Sequence, residues 1–171
     1  ALAEMDAASS GVMAAPVSHY LYPERRGEGD AERALGELTE THNTQPALFA
    51  VGHALTKLLA SVGVQPVVVA GHSVGEFTAA AAAGVIDAGE GVRWCARRGQ
   101  GMQALGGDKG AMAAWVADRA TAERHLVPGA VIANVNHPRQ VVVSGKTEVV
   151  AQANAKARAA GVEVTELRVS H

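Results

Sequence analysis

The chain has 171 residues, a formal net charge of -2 at pH 7 and a hydrophobic content of 48%. This length allows one ordinary domain, or one domain with a small satellite. The near-neutral charge gives no reason to expect a nucleic acid or an anionic membrane as a partner. No run approaches the length of a membrane span, and no basic region precedes an apolar one at the N-terminus. We therefore expect a cytoplasmic protein.

A single cysteine, Cys95, excludes an internal disulfide and a cysteine-based zinc site. It lies between Trp94 and Ala96 in a helical stretch, so we interpret it as a small buried residue. We expect no metal in the functional site.

The first half of the chain predicts helices around one strand. Thr44 and Pro46 predict the start of a helix, and Gly63 predicts its end. We expect this helix to pack against the next predicted element, a buried strand over 66–70. Its apolar positions follow helical spacing and are Leu48, Val51, Leu55, Leu58, Leu59 and Val62.

A sharp turn with a serine at its apex follows the predicted strand. The pattern is Gly71-His72-Ser73-Val74-Gly75-Glu76, and the alanine-rich helix Phe77–Ala83 comes next. Small residues on both sides of such a turn avoid collisions as the backbone doubles back. Free N–H groups at the start of the helix can stabilise an oxyanion. Because a chance Gly-x-Ser-x-Gly string would usually lack this strand, turn and helix, we interpret Ser73 as a nucleophile.

The next helix has a clear start. Asp87 and Glu90 have capping-box spacing and predict a helix through about Leu105. Gly99 and Gly101 in its second half indicate close approach by another part of the protein. The order of elements up to this point suits one edge of a parallel α/β sheet.

From Gly110 onward strands alternate with helices. This order is βαββαβ, the ferredoxin-like split arrangement, and we expect a substrate cleft between it and the first part. The predicted strands cover 111–116, 130–135, 140–144 and 162–169, and the predicted helices cover 118–126 and 147–160.

A serine nucleophile needs a base. His72 is next to the serine, but adjacent side chains on a tight turn usually diverge. His171 follows the last predicted strand and is the only histidine placed where a returning chain could face the cleft. The others fall where structural or solvated roles are commoner: His53 and His125 on helices, and His137 in a hairpin turn.

Three arginines follow the turn: Arg93, Arg97 and Arg98. One of them, turned into an apolar cleft, would hold a substrate carboxylate by a two-pronged hydrogen bond. Spacing alone does not choose among them.

Four stretches, in this order, resemble the signatures of acyltransferases of the malonyl-CoA:acyl carrier protein transacylase type. They are Thr44-Gln45-Pro46-Ala47-Leu48, the turn 71–76, Ala96-Arg97-Arg98-Gly99 and the segment 134–145. The match runs from about residue 40 to the end, and it is closest to acyltransferase domains of polyketide or polyunsaturated fatty acid synthases. It implies an α/β fold in which residues 1–108 belong to an incomplete, α/β-hydrolase-like parallel-sheet core. Residues 109–171 would then form the inserted ferredoxin-like subdomain and the start of the return to the core.

The resemblance also implies a mechanism. Ser73 takes a malonyl group from coenzyme A, and the phosphopantetheine thiol of an acyl carrier protein then removes it. Arg98 matches the carboxylate-binding arginine, and the Val74 N–H matches one of two oxyanion donors. An aliphatic residue after the serine is typical of malonyl-selective members. The remaining substrate-binding matches are polar: His72, Gln45 and Asn136. No bound cofactor is implied, and the partners are the carrier protein and other synthase domains.

The resemblance leaves two alignments for the base. Val169-Ser170-His171 resembles the start of a longer synthase motif in which a second histidine is the base, three residues past the last one present. In free-standing transacylases the base follows a Pro-Ser dipeptide, and His171 would then be the base itself. The valine favours the first alignment, so we expect the chain to be truncated before its base. The family's N-terminal strand, with the glycine-glutamine-rich turn that supplies the other oxyanion donor, is missing before Ala1, so we expect a fragment truncated at both ends.

Two rival functions remain open. An α/β-hydrolase-type esterase or thioesterase uses the same serine turn, but it needs an acidic residue and then a histidine after the serine, and no such pair stands out. An inactive scaffold fragment of a synthase is the other alternative.

Overall fold

The chain divides into two compact units, Ala1–Ala104 and Leu105–His171. A computed structural model describes residues 2–24, 27–104 and 110–167. The described part of the first unit is helical, and that of the second contains a four-stranded sheet with two helices.

The first unit is built from six helices in its described residues. They are α1 (Leu2–Ser9), α2 (Val17–Leu21), α3 (Asp30–Thr39), α4 (Thr41–Ser61), α5 (Gly75–Ala82) and α6 (Ala88–Gln103). None of the helices in the described ranges is both long and apolar enough to cross a membrane.

Helix α4 begins three residues before the predicted start at Thr44. The chain is extended at Glu40, whose carbonyl accepts the N–H groups of Asn43 and Thr44 at 2.8 Å. The Thr44 hydroxyl donates to the Leu38 carbonyl at 2.5 Å, so it does not cap the helix. Gly63 has a positive φ of 83° after the last turn, which confirms the predicted end.

The predicted apolar stripe of α4 lies on its exposed side, so the expectation that it packs against a strand was wrong. Leu58 is 61% exposed and Leu55 is 53% exposed. The buried side of α4 instead carries Phe49, Ala50 and His53. The helix has two largely apolar sides, and helical spacing alone does not show which one meets a partner.

The predicted strand 66–70 is likewise not formed. Val67 is 99% exposed and Val68 is 84% exposed. A strand needs a neighbour to pair its backbone N–H and C=O groups, and the described part of the first unit contains no other strand.

The core of the first unit forms where α1, α2, α4 and α6 meet. Cys95 is fully buried, as predicted, and burial raises its pKa to about 12. The capping box of Asp87 and Glu90 is present, which confirms the predicted start of α6. The predicted end at Leu105 lies outside the described residues. The buried apolar residues of this core are Met5, Val17, Phe49, Ala50, Ala88, Val92 and Cys95.

Two glycines let α6 approach α4 closely. A Cβ at Gly91 would lie 2.1 Å from the Phe49 ring, and one at Gly99 would lie 2.6 Å from the His42 Cα. The predicted close approach is therefore confirmed at Gly99. It was wrong at Gly101, which has nothing within 4 Å of a Cβ because it faces away from α4.

The second unit confirms the predicted order of strands and helices. Its sheet has the order β2-β3-β1-β4, and all neighbours are antiparallel. Its elements are β1 (Ala111–Trp115), α7 (Arg119–His125), β2 (Val131–His137), β3 (Gln140–Gly145), α8 (Thr147–Ala159) and β4 (Val164–Leu167). The end of the predicted last strand lies outside the described residues.

A buried polar contact ties α8 to the sheet of this unit. Trp115 on β1 is fully buried, and its indole N–H donates to Asn154 Oδ1 on α8 at 2.8 Å. Valines and alanines fill the rest of this core, including Val141, Val143 and Ala153.

We expect Gly99→Ala to lower the free energy of unfolding by about 1–3 kcal/mol, because the new methyl group meets the backbone of α4. Gly101→Ala is the matched control on the same helix, and it should stabilise by roughly 0.5–1 kcal/mol. Urea unfolding of both variants measures the difference. Equal effects would contradict the proposed close contact.

His53 predicts a pH dependence of stability. Its side chain stacks on Phe49 at 5.9 Å, and neither ring nitrogen has a hydrogen-bond partner in the described structure. Burial, together with the nearby Lys57 charge, lowers the pKa of His53 below its usual 6.5. The stability that the neutral ring contributes is therefore present above pH 6.5 and is lost as the pH falls from 6.5 through the folded-state pKa.

Urea unfolding across this pH range should show the loss in the wild type and a weaker dependence in His53→Leu. Parallel curves for the two proteins would rule out His53 as its source.

Candidate active site

The predicted nucleophile lies in a strained turn. Ser73 has a φ of +54°, and it is the only non-glycine residue with a positive φ in the described ranges. The turn is closed by the Gly75 N–H, which donates to the His72 carbonyl at 2.9 Å. Left-handed backbone costs a serine roughly 1–2 kcal/mol, and such strain clusters at functional sites.

The two glycines beside the serine play different parts. A Cβ at Gly71 would lie 2.2 Å from the Gly75 carbonyl oxygen, so only glycine fits there. A Cβ at Gly75 would meet nothing within 4 Å, so the expectation that both positions need a small residue was wrong for Gly75. The reason is that Gly75 begins α5 on the open side of the turn.

The backbone after the serine offers a hydrogen-bond donor. Val74 is the N-cap residue of α5, and its φ and ψ of -60° and -27° are already helical. Its N–H has no hydrogen-bond acceptor in the described structure. An unpaired N–H directly beside Ser73, at the positive end of a helix, can stabilise an oxyanion formed there.

Of the three arginines, Arg98 reaches the serine. Its Nη2 lies 3.4 Å from Ser73 Oγ, and its Nη1 donates to Gln45 Oε1 at 2.6 Å. Arg97 is exposed and Arg93 is partly buried, and neither forms a hydrogen bond to the turn. The structure thus makes the choice that spacing alone leaves open.

Gln45 orients the guanidinium of Arg98. Its side chain is buried on α4, and its Nε2 lies 3.2 Å from Met102 Sδ. No carboxylate pairs with Arg98 in the described part of the chain, and its two recorded partners are a neutral amide and a hydroxyl. The positive charge is therefore available to an anionic ligand.

Two further predicted site residues, His72 and Asn136, lie among the described residues. His72 is exposed and forms no hydrogen bond to Ser73; it lines a cavity of about 670 Å³ together with Leu48 and Thr56. Asn136 is exposed on β2, in the second unit, and its role stays a prediction.

His171 lies outside the described residues, and no histidine within them bonds to the serine. Those residues also contain no cluster that could hold a metal ion.

Sequence reasoning missed two features around Arg98. Met102 follows it by one helical turn, a spacing that could have identified it as a neighbour of Arg98 on the same face of α6. His42 Nδ1 is hydrogen-bonded to Gln103 Oε1, and Gln103 Nε2 donates to Glu40 Oε2 at 2.5 Å. This link joins the start of α4 to the end of α6, and no local pattern indicates it.

Residues 4–171 match the family model described as the acyl transferase domain. The chain belongs to the acyltransferase domain family. Its serine turn and the arginine that reaches it are therefore features of an acyltransferase chain.

Two relatives and a solved structure show the range of this acyltransferase family. A polyketide synthase of Streptomyces halstedii is 41% identical over 99% of this chain and 2% of its own length. The malonyl CoA-acyl carrier protein transacylase of Bacillus subtilis is 37% identical over 80% of this chain and 44% of its own. The crystal structure of the acyltransferase domain from the second module of the salinomycin polyketide synthase has a TM-score of 0.85 and 37% identity, over 100% of this chain and 38% of that one.

This acyltransferase chain thus spans less than half the length of the transacylase and about two fifths of the solved domain. The solved relatives establish an α/β fold for the family, in agreement with the predicted class.

The turn yields a direct prediction. Gly71→Ala should abolish labelling of Ser73 by a serine-reactive fluorophosphonate, because the methyl group would collide with the backbone that holds the serine in place. Gly75→Ala should be labelled within roughly threefold of the wild-type rate, since its methyl group enters open space. Labelling is read by intact mass in the full-length polypeptide that carries this chain. Equal labelling of both variants would contradict the assigned geometry.

Proposed function

We propose that this chain carries the nucleophile of an acyltransferase that moves a malonyl group from coenzyme A to the phosphopantetheine thiol of an acyl carrier protein. The observation that carries the proposal is the arrangement of Ser73, Arg98 and Gln45. A nucleophile lies 3.4 Å from a guanidinium that no carboxylate among the described residues neutralises. This arrangement suits an acyl group that is attacked at one end and is negatively charged at the other.

The first half-reaction forms an ester. Ser73 Oγ attacks the thioester carbonyl, the carbonyl oxygen becomes an oxyanion, and the Val74 N–H donates to it. The carbon–sulfur bond then breaks, and the coenzyme A thiol leaves with the proton. A histidine base accepts the serine proton first, and His171 is the candidate within this chain.

The second half-reaction reverses the first. The thiol of the carrier protein attacks the acyl ester, the same oxyanion donor acts again, and Ser73 regains its proton. Throughout, Arg98 holds the free carboxylate of the malonyl group by a two-pronged hydrogen bond, and Gln45 keeps the guanidinium in place. His72 adds a polar side chain next to the serine in this proposal, and Asn136 is proposed as a substrate-binding residue on the family resemblance alone.

The partners and the finer fold follow from the same proposal. The Bacillus transacylase is named for malonyl-CoA and an acyl carrier protein, and the Streptomyces relative is a polyketide synthase. We infer that this chain also serves a carrier protein, beside other domains of a synthase, and needs no bound cofactor. The βαββαβ unit is, in this view, a ferredoxin-like subdomain inserted into an α/β-hydrolase-like parallel-sheet core.

Substitution of Arg98 tests the carboxylate assignment. In the full-length polypeptide that carries this chain, Arg98→Ala should slow acylation of Ser73 by malonyl-CoA by an amount equivalent to roughly 2–5 kcal/mol, because a charged hydrogen-bonded pair loses one partner. Acylation by acetyl-CoA, which has no free carboxylate, should be unchanged or faster. Single-turnover formation of the acyl-enzyme, read by intact mass, measures both rates.

Arg97→Ala is the matched control, since this neighbouring arginine is exposed. Ser73→Ala supplies the unreactive blank. A similar loss with both thioesters would argue against carboxylate binding by Arg98. Ester hydrolysis that outpaces transfer to a thiol would point instead to a hydrolase.

A further inference from the structure

Trp94 is a large apolar side chain that the core leaves partly in water. It is 43% exposed, whereas its neighbour Cys95 is fully buried. Single apolar residues at a surface are normal, and Trp94 is one of several large apolar residues that the structure leaves exposed. Its position relative to the reactive residues distinguishes it from the others.

Helical spacing places Trp94 beside the reactive pair. It lies four residues before Arg98 on α6, and residues with this spacing share one face of a helix. Phe77 lies four residues after Ser73, in the first turn of α5. Trp94 is thus about one helical turn from Arg98, and Phe77 is about one turn from Ser73.

The two aromatic rings meet between these helices. The Trp94 and Phe77 centroids are 6.4 Å apart, and the ring planes are inclined by 75°. This is the edge-to-face arrangement that aromatic pairs prefer. Phe77 in turn packs against the buried core of the first unit, so the contact anchors the start of α5 to α6.

The position of Ser73 relative to Arg98 depends on how α5 and α6 pack on α4 and on each other. Helix α6 packs along α4 over a long interface that includes Gly91 and Gly99, and this interface fixes Arg98 relative to α4. The interface between α5 and α6 is much smaller. Helix α5 also packs on α4, where a Cβ at Gly52 would lie 2.8 Å from Thr78, and the Phe77–Trp94 pair is a side-chain contact that joins it to α6.

We propose that Trp94 is a positioning residue that sets the separation of Ser73 and Arg98 and thereby selects short acyl groups that end in a carboxylate. The inference rests on the proposed function and deepens it. With the aromatic contact in place, Arg98 Nη2 stays within 3.4 Å of Ser73 Oγ, which suits a three-carbon diacid. Without it, the helices separate and the guanidinium no longer meets the malonyl carboxylate. A four-carbon diacid such as succinyl reaches further and tolerates the wider spacing.

The test compares three thioesters in the full-length polypeptide that carries this chain. Trp94→Ala should slow acylation of Ser73 by malonyl-CoA by roughly tenfold, because a small misplacement of a positioning group costs about this much or more. Acylation by acetyl-CoA should change by less than about threefold, and the rate ratio of succinyl-CoA to malonyl-CoA should rise. Trp94→Phe keeps an aromatic edge and should retain the wild-type ratios.

A double-mutant cycle separates positioning from general damage. In an Arg98→Ala background, Trp94→Ala should slow malonyl transfer no further, since the two side chains act through one interaction. Equal slowing with malonyl-CoA and acetyl-CoA, or additive losses in the cycle, would overturn the inference. If thermal melting shows that Trp94→Ala is unfolded, Phe77→Leu tests the same contact from α5, with the same ratios as the readout.

The two proposals fail in different ways. A wild-type polypeptide that forms no acyl-Ser73 from malonyl-CoA defeats the proposed function. A wild type that acylates normally, with its selectivity kept in Trp94→Ala, defeats only the role of Trp94.

Discussion

The close packing of α6 on α4 is the constraint on which the candidate site depends. Gly91 and Gly99 remove the side chains that would hold the two helices apart, and the helices approach until the Phe49 ring and the His42 backbone fill the space. Arg98 lies directly before Gly99, and Gln45 lies on the facing side of α4. The hydrogen bond that orients the guanidinium therefore depends on a helix separation that only glycine permits.

The charge of Arg98 is held without being neutralised. Gln45 and Ser73 together occupy both ends of its fork, yet neither carries a formal charge. A carboxylate in place of Gln45 would have fixed the arginine more strongly and reduced its attraction for an anionic substrate. A neutral, buried amide fixes the geometry and keeps the charge for the ligand, which is the property that the proposed malonyl site requires.

The backbone strain of the turn is concentrated at Ser73. Ser73 adopts a backbone conformation that favours glycine, and Gly71 makes room for it by lying against the Gly75 carbonyl. Because Val74 lies at the start of α5, its N–H has no acceptor among the described residues, and it is adjacent in sequence to the serine. Nucleophile and oxyanion donor thus come from adjacent residues, and their geometry requires no long-range contact. The guanidinium, by contrast, comes from a residue on α6 that lies 25 positions further along the chain.

Local chemistry was sufficient to predict the serine turn, the capping box of α6 and the strand and helix order of the second unit. Each depends on neighbouring residues, through glycine conformations, side-chain caps and periodicity. Local chemistry did not predict the start of α4 or its buried side, because a helix with two apolar sides can bury either one. It also did not predict the conformation of residues 66–70, because a strand forms only beside a neighbouring strand. Residue spacing left three arginines open, and the family resemblance pointed to Arg98. Only the tertiary structure gave the physical reason, since helix packing decides which guanidinium reaches Ser73.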